Sequence, residues 1–279
     1  MCRAAASPSH AWDRRGATRS RKHYGEPVRD ITYPPIIVTA KAAFKVWGLS
    51  FQISGSEHVP RTGGAVLALN HISYLDFIFG GFATQPAKRL VRFMAKRELF
   101  DHKVTGPLMR SLHHIEVDRA DGMQSFQTGI DYLKAGEVVG IFPEATISRS
   151  FELKEFKTGA VRLAASAEVP LIPLVLWGTQ RMFTKDHPKD FSRGKTIALT
   201  VGEPMKVTGT NAVAETRELR DRMKVLLDQT ITTYPQTEEG AWWMPRSYGG
   251  TAPTLEEAEV LDREEKRRRA ETRRQQRKK

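Results

Sequence analysis

Gly64–Phe77 reads GAVLALNHISYLDF, and the fold can be worked outward from it. Its first seven residues form a continuous apolar run closed by Asn70, the pattern of a short strand buried on both faces of a sheet. His71 follows at once, and Asp76 stands five residues beyond it. Partners on one helical face are three or four residues apart, and residues on one side of a strand are an even number apart. Five fits neither. Either the pair is accidental, or the backbone bends and returns the Asp76 carboxylate to His71. A helix starting near Tyr74 puts Asp76 in its first turn, where it can accept the imidazole Nδ1–H, fix the tautomer and leave Nε2 as a base. Such a pair is the orienting half of a catalytic triad with no nucleophile of its own, a part that a substrate hydroxyl can take. Ser73 offers a Ser–His alternative, but no GxSxG turn occurs in the chain. Its position, with Asp76 three residues on, fits a helix cap. An H-x₄-D spacing arises by chance in many proteins, so on spacing alone His71 and Asp76 read first as a polar loop pair.

Beyond this stretch, short apolar runs alternate with helical patterns. Strands are expected at 64–70, 91–96, 114–119, 137–144, 170–178 and 196–204, and helices near 75–84, 98–112, 123–135, 158–167 and 212–232. The alternation predicts an α/β fold: a mixed, largely buried central sheet with helices on both faces. Ile36–Phe51 precedes it, with Ile36, Ile37, Ala40, Ala43, Phe44, Trp47 and Phe51 at helical spacing and Lys41 and Lys45 beside them. This is an amphipathic helix with a basic flank, either lying in a membrane surface or packed on the core.

The organisation expected is a basic flexible segment over 1–29, a folded domain over 30–245 with the docking helix at 36–51, and a charged basic tail over 246–279. The apolar fraction of 40% is low because both ends are polar, and the formal charge of +12 is concentrated there. Arg263–Lys279 holds ten Lys/Arg against three Glu, and Arg3, Arg14, Arg15, Arg19, Arg21 and Lys22 mark the other end. Such tails suit a polyanion, an anionic membrane or a nucleic acid, or are simply solvated. Cys2 is the only cysteine, so no internal disulfide forms and a reducing compartment is expected. No apolar run reaches the roughly eighteen residues of a spanning helix, and Met1–Arg21 lacks the apolar core of a secretory signal.

A second polar constellation closes another strand. FPEATIS (Phe142–Ser148) is followed by Arg149, Lys154, Lys157 and Gly159. Cations with a Gly-containing turn ahead of a helix can hold a phosphate. Glu144, being negative, better positions a hydroxyl or a basic group. AKRELF (95–100) places cations after a strand, and VPLIPL (169–174) is a buried strand that can wall an apolar channel. His113, His114 and Glu116 lie on an expected strand, where adjacent histidines point to opposite faces, so no metal is expected. Trp242 and Trp243 are expected to pack the chain back onto the domain.

In this order NHISYLD, KREL, FPEATIS and VPLIP resemble the four blocks of the glycerolipid acyltransferase family, whose best-known members are 1-acylglycerol-3-phosphate acyltransferases. The blocks read NHxSxxD, K-x-E-L, FPEGTRS and V-P-[IV]-x-P in that family. The likeness covers about 64–178, and HIEVDR between the second and third blocks also fits. Ala145 stands where the family has glycine, and Ile147 where it has an arginine associated with the acceptor's phosphate.

The resemblance implies that His71 deprotonates the acceptor hydroxyl, that Asp76 orients and charge-stabilises it, and that Glu144 and Thr146 bind the acceptor, with Lys96, Arg149 and Lys157 as phosphate candidates. It implies transfer of a fatty acyl group from acyl-CoA or acyl carrier protein to 1-acylglycerol 3-phosphate, giving phosphatidic acid, without cofactor, metal or covalent acyl-enzyme. The alternatives are the same chemistry on glycerol 3-phosphate or another lysolipid, and a non-catalytic basic membrane-binding protein. With the glycerolipid acceptor in a bilayer, the helix at 36–51 and the basic ends become a docking surface for anionic lipids on the cytoplasmic face. Nucleic acid is not an expected partner, because the core lacks interleaved basic and aromatic residues. The oligomeric state stays open.

Overall fold

The computed structural model describes residues 30–118 and 122–276. The basic segment 1–29, Cys2 and Arg119 lie outside them.

Strand β2 (Ala65–Leu69) is the run with which the sequence was read, and all five residues are buried. Val66 and Ala68 join one apolar cluster, and Ala65, Leu67 and Leu69 the other. Alternation therefore fills both faces, as a central parallel strand requires. Around it stand β1 (Ser50–Ser54), β3 (Val91–Lys96), β4 (Ile115–Val117), β5 (Val138–Ile141), β6 (Leu171–Trp177) and β7 (Thr196–Val201), in the spatial order β1-β7-β6-β2-β5-β3-β4. Only β6 and β7 pair antiparallel, so the sheet is mixed, as expected.

One face is covered by α1 (Tyr33–Val46) and α2 (Asp76–Ala83), through Phe44 and Phe79. The other is covered by α5 (Gly122–Lys134), α6 (Gly159–Ala167) and α7 (Ala212–Thr232), through Ile130, Leu163 and Leu219. The stretch expected as one helix over 98–112 is two, α3 (Arg97–Asp101) and α4 (Thr105–Ser111), with His102 extended at φ −70°, ψ 135° between them.

The helix expected over 36–51 differs in its bounds, and its apolar stripe packs on the core. It starts earlier, with Pro34 and Pro35 in its first turn, where proline's missing N–H costs nothing. It stops at Val46 because Gly48 takes φ 57°, a left-handed C-terminal stop. Phe51 therefore lies on β1. The apolar stripe faces inward: the Phe44 ring lies 5.1 Å from Phe79 and 5.4 Å from Phe82, and Trp47 stacks on Phe191 at 5.0 Å. Exposed on the outer face are Val38, Lys41, Lys45 and Val46.

The folded unit also runs past residue 245. Trp243, Met244, Ala252 and Ala258 are buried, and α8 (Leu255–Gln276) forms where a tail was expected. Its start is a reciprocal cap: Glu257 accepts from the Thr254 amide at 2.9 Å, and the Thr254 hydroxyl from the Glu257 amide at 3.2 Å. Trp242 stacks on His187 at 3.8 Å, the expected packing-back of the chain. His113 and His114 precede β4 rather than lying on it. His114 is buried, accepts the Phe93 amide on Nδ1 at 3.1 Å, and is pushed down to about 4 by that burial, with Arg92 adding to the effect.

Candidate active site

The turn between β2 and α2 carries His71 and Asp76. Asn70 begins it by continuing the pairing that β2 has lost: its side chain donates to the Leu176 carbonyl at 3.0 Å and accepts the Leu176 amide at 2.7 Å on β6. The chain then turns, and α2 opens on Asp76 itself. Asp76 is fully buried, which a carboxylate tolerates only when it is bonded. Oδ2 accepts His71 Nδ1 at 2.9 Å and the amides of Ile72 and Ser73 at 2.7 Å each. Oδ1 accepts the Thr179 hydroxyl at 2.7 Å. A carboxylate only accepts, so the imidazole proton sits on Nδ1. Nε2 is left toward a site into which the His71 side chain is 22% exposed. The five-residue gap is thus the length of a turn that folds Asp76 back under the ring.

Ser73 is not the helix cap. Its hydroxyl donates to the Phe183 carbonyl at 2.7 Å and accepts the Leu75 amide at 3.1 Å, a short hydroxyl turn that ties the loop to residues after β6. Those bonds commit it to the scaffold rather than to His71. Thr179 reaches Asp76 because Gly178 turns the chain at φ 93°, where a Cβ would meet the Thr196 carbonyl oxygen at 2.3 Å.

The loop after β5 packs against this turn from the other side. The Phe142 ring stacks on His71, centroids 4.2 Å apart, and His71's carbonyl accepts the Ser148 amide at 2.7 Å. Glu144 is buried. It accepts the His71 amide on Oε1 at 2.9 Å and the Lys154 amide on Oε2 at 3.2 Å. Each oxygen meets a loop amide, so Glu144 braces the turn behind the histidine. Burial pushes its carboxyl up to about 8, against the pull of those amides and the Lys154 charge. With Ile72 and Ser73 on Asp76, and Tyr74 donating to Phe183, the amides of residues 71–74 are all committed. Donors to a developing oxyanion must come from elsewhere.

Arg149 is engaged as well. Its guanidinium is 5% exposed and meets three carboxylates, those of Asp186, Asp262 and Glu265. Ile147, in the third block, is buried. The Thr146 hydroxyl accepts Lys154 Nζ at 2.9 Å. Lys96, at the end of β3, and Lys157, before α6, are exposed. The structure therefore brings together His71, Asp76, Glu144 and Thr146, while Lys96 and Lys157 stand on the surface. Thr179, Asn70 and Lys185 escaped the sequence reading. Thr179 lies 103 residues from Asp76, and Lys185 lies 77 and 80 residues from Asp262 and Glu265, so no local spacing announces either. A cleft of about 600 Å³, lined by Phe126, Arg162 and Thr208 among others, opens between α5 and α6, and none of these site residues lines it.

Comparison with known proteins adds four findings. A family profile described as "Acyltransferase" matches residues 50–177. A 1-acyl-sn-glycerol-3-phosphate acyltransferase of Bacillus subtilis is 33% identical over 171 residues, 61% of this chain and 77% of that protein. The mouse 1-acyl-sn-glycerol-3-phosphate acyltransferase alpha is 30% identical over 54% of this chain and 53% of its own. The crystal structure of the Thermotoga maritima 1-acyl-sn-glycerophosphate acyltransferase superposes with a TM-score of 0.61 at 23% identity, over 72% of this chain and 80% of that one. At that identity the superposition speaks for the fold.

Proposed function

The chain belongs to the acyltransferase family, and from that premise we propose that it moves a fatty acyl group from acyl-CoA or acyl carrier protein to the free hydroxyl of 1-acylglycerol 3-phosphate, making phosphatidic acid. The observation that carries the mechanism is the His71–Asp76 pair, 2.9 Å apart with the carboxylate wholly buried. His71 Nε2 takes the hydroxyl proton as the acceptor oxygen attacks the thioester carbonyl. Asp76 stabilises the imidazolium so formed. Collapse of the tetrahedral intermediate breaks the carbon–sulfur bond, and the imidazolium returns its proton to the thiolate, so ester and thiol leave with the enzyme unchanged. The reaction proposed is redox-neutral and calls for no cofactor. Thr146, Lys96 and Lys157 are the proposed acceptor contacts.

Among the described residues no helix is long and apolar enough to cross a membrane. Peripheral attachment to the cytoplasmic face is proposed instead. It is supported by exposed Val38 and Val46 beside Lys41 and Lys45 on α1, and by the exposed cations of α8, a combination of apolar and basic contacts suited to anionic lipid.

Buried Ile147, in place of an arginine, favours one second reading, the same chemistry on another lysolipid; glycerol 3-phosphate, which carries the same phosphate monoester, is the other alternative acceptor. Thiol release from palmitoyl-CoA, measured with 1-acylglycerol 3-phosphate, glycerol 3-phosphate and a choline lysolipid in parallel, decides between them. Release dependent on the first acceptor is expected. Dependence on another acceptor alone moves the assignment there, and none with any acceptor refutes acyl transfer.

A further inference from the structure

The cation cluster beside the site is filled by the protein's own carboxylates, all but one from the C-terminal helix. Asp262 is met by Arg149, by Lys154 and, at 3.2 Å, by Lys185. Glu265, one turn on, is met by Arg149 at 3.0 Å and Lys185 at 3.1 Å. Asp186 takes the remaining edge of Arg149. Three anionic oxygens, both of Asp262 and Oε2 of Glu265, therefore sit among one guanidinium and two ammonium groups. That is the oxygen count a phosphate monoester presents, in the kind of cationic cradle that binds one. Lys154 also donates to Thr146, and its amide holds Glu144, whose other oxygen holds the His71 amide. The cluster is thus joined to the catalytic turn through one side chain.

The helix that supplies the carboxylates is weakly held beyond that point. Among its described side chains from Arg263 onward, only Glu265 is other than exposed. Arg263, Lys266, Arg267, Arg268, Arg269 and Arg274 are all open to solvent there, and a surface that is so basic is drawn toward anionic ligands and lipid.

We propose that Arg149, Lys154 and Lys185 form a phosphate-monoester subsite, and that Asp262 and Glu265 of α8 occupy it until a phosphate-bearing acceptor displaces them. The C-terminal helix is then an internal competitor of the acceptor. Exchange leaves every cation paired, so opening does not strand a buried charge. That the displacing ligand is the acyl acceptor rests on the acyltransferase reading; the anion exchange itself does not.

The test uses the full chain with inorganic phosphate as probe. Hydrogen exchange of residues 255–270 is followed without additive, with phosphate, and with chloride at the same ionic strength. Phosphate, and not chloride, is expected to speed exchange in this segment by about tenfold or more. Asp262→Asn with Glu265→Gln is expected to exchange fast from the start and to bind phosphate about tenfold more tightly. Lys185→Met added to that pair is expected to lose the gained affinity. A segment indifferent to phosphate, or a carboxylate variant with unchanged phosphate affinity, overturns the proposal and makes the cluster a fixed clamp. Vesicles of phosphatidylglycerol, which present only diesters, separate the two sources of phosphate: release by the vesicles alone also overturns it. No step of the test requires turnover, so failure of acyl transfer and failure of the subsite are read separately.

Discussion

Thr179→Val keeps shape and volume and removes one hydroxyl, among the described residues the sole hydrogen-bond partner of Asp76 Oδ1. Oδ2 stays pinned by His71 and two amides, so the carboxylate cannot rotate to share them. An orphaned oxygen on a fully buried carboxylate costs about 1.5–3 kcal/mol. At about 2 kcal/mol the melting temperature of a chain this size falls by about 4–8 °C. The same loss is felt when His71 becomes an imidazolium, because a carboxylate free to tilt no longer holds the charge and ring in line. Carried wholly into the transition state, about 2 kcal/mol lowers kcat by about 30-fold. KM is expected to stay near wild type, since Thr179 touches Asp76 from beneath. Acyl-CoA thiol release across acceptor concentrations, with a melt in parallel, gives both numbers, and Thr179→Ser should restore kcat. A valine variant that melts lower but keeps kcat within about twofold would refute the positioning role and leave Thr179 a packing residue.

Glu144 predicts a pH dependence. Its folded pKa of about 8 lies above the ordinary glutamate value of 4.5, so the folded state holds the proton more tightly, and this group's contribution falls as pH rises from about 4.5 through about 8. Urea unfolding across that range should show wild type losing stability relative to Glu144→Gln, with parallel pH profiles contradicting the assignment. Ala145 holds φ 60°, a conformation that costs a side-chain-bearing residue about 1–2 kcal/mol. Ala145→Gly is expected to raise stability by about 0.5 kcal/mol after the extra freedom of the unfolded chain is set against it, and a clear loss in chemical denaturation would count against strain there. Arg149→Ala should destabilise by about 3 kcal/mol, as removal of one partner from a buried ion cluster does, whereas breaking the exposed Arg222–Glu218 pair by Arg222→Ala should cost under about 0.5 kcal/mol. Equal losses in paired melts would show that the cluster is no more than surface charge.

The sheet was legible because its central strands are buried on both faces, and continuous apolar runs such as GAVLALN and PLIPLVLW have few other homes. Ile36–Phe51 shows the limit of periodicity. A helical stripe reads the same whether it faces lipid or a phenylalanine cluster, and Phe51 kept the period while belonging to a strand. The His71–Asp76 bend was legible since the two residues are close in sequence and only a turn reconciles their spacing. Thr179 was not, because Asp76 and Thr179 meet only when β2 and β6 pair. Charge near a site reads as ligand-binding until its partners are known, and nothing local in the sequence shows that Glu144 meets two loop amides or that Arg149 meets Asp186, Asp262 and Glu265. The C-terminal helix left one signal in the sequence, the Thr254-x-x-Glu257 cap, which the dense charge after it obscured.

The most direct test of the account is the rate of acceptor-dependent thiol release by His71→Ala, with its melting curve recorded on the same preparation. With Nε2 as the base, kcat should fall by about 10³-fold while the melt stays close to wild type, because the ring is partly exposed and Asp76 keeps its two amides and Thr179. Turnover within a few-fold of wild type from a folded His71→Ala protein would contradict the assignment of the base and, with it, the mechanism.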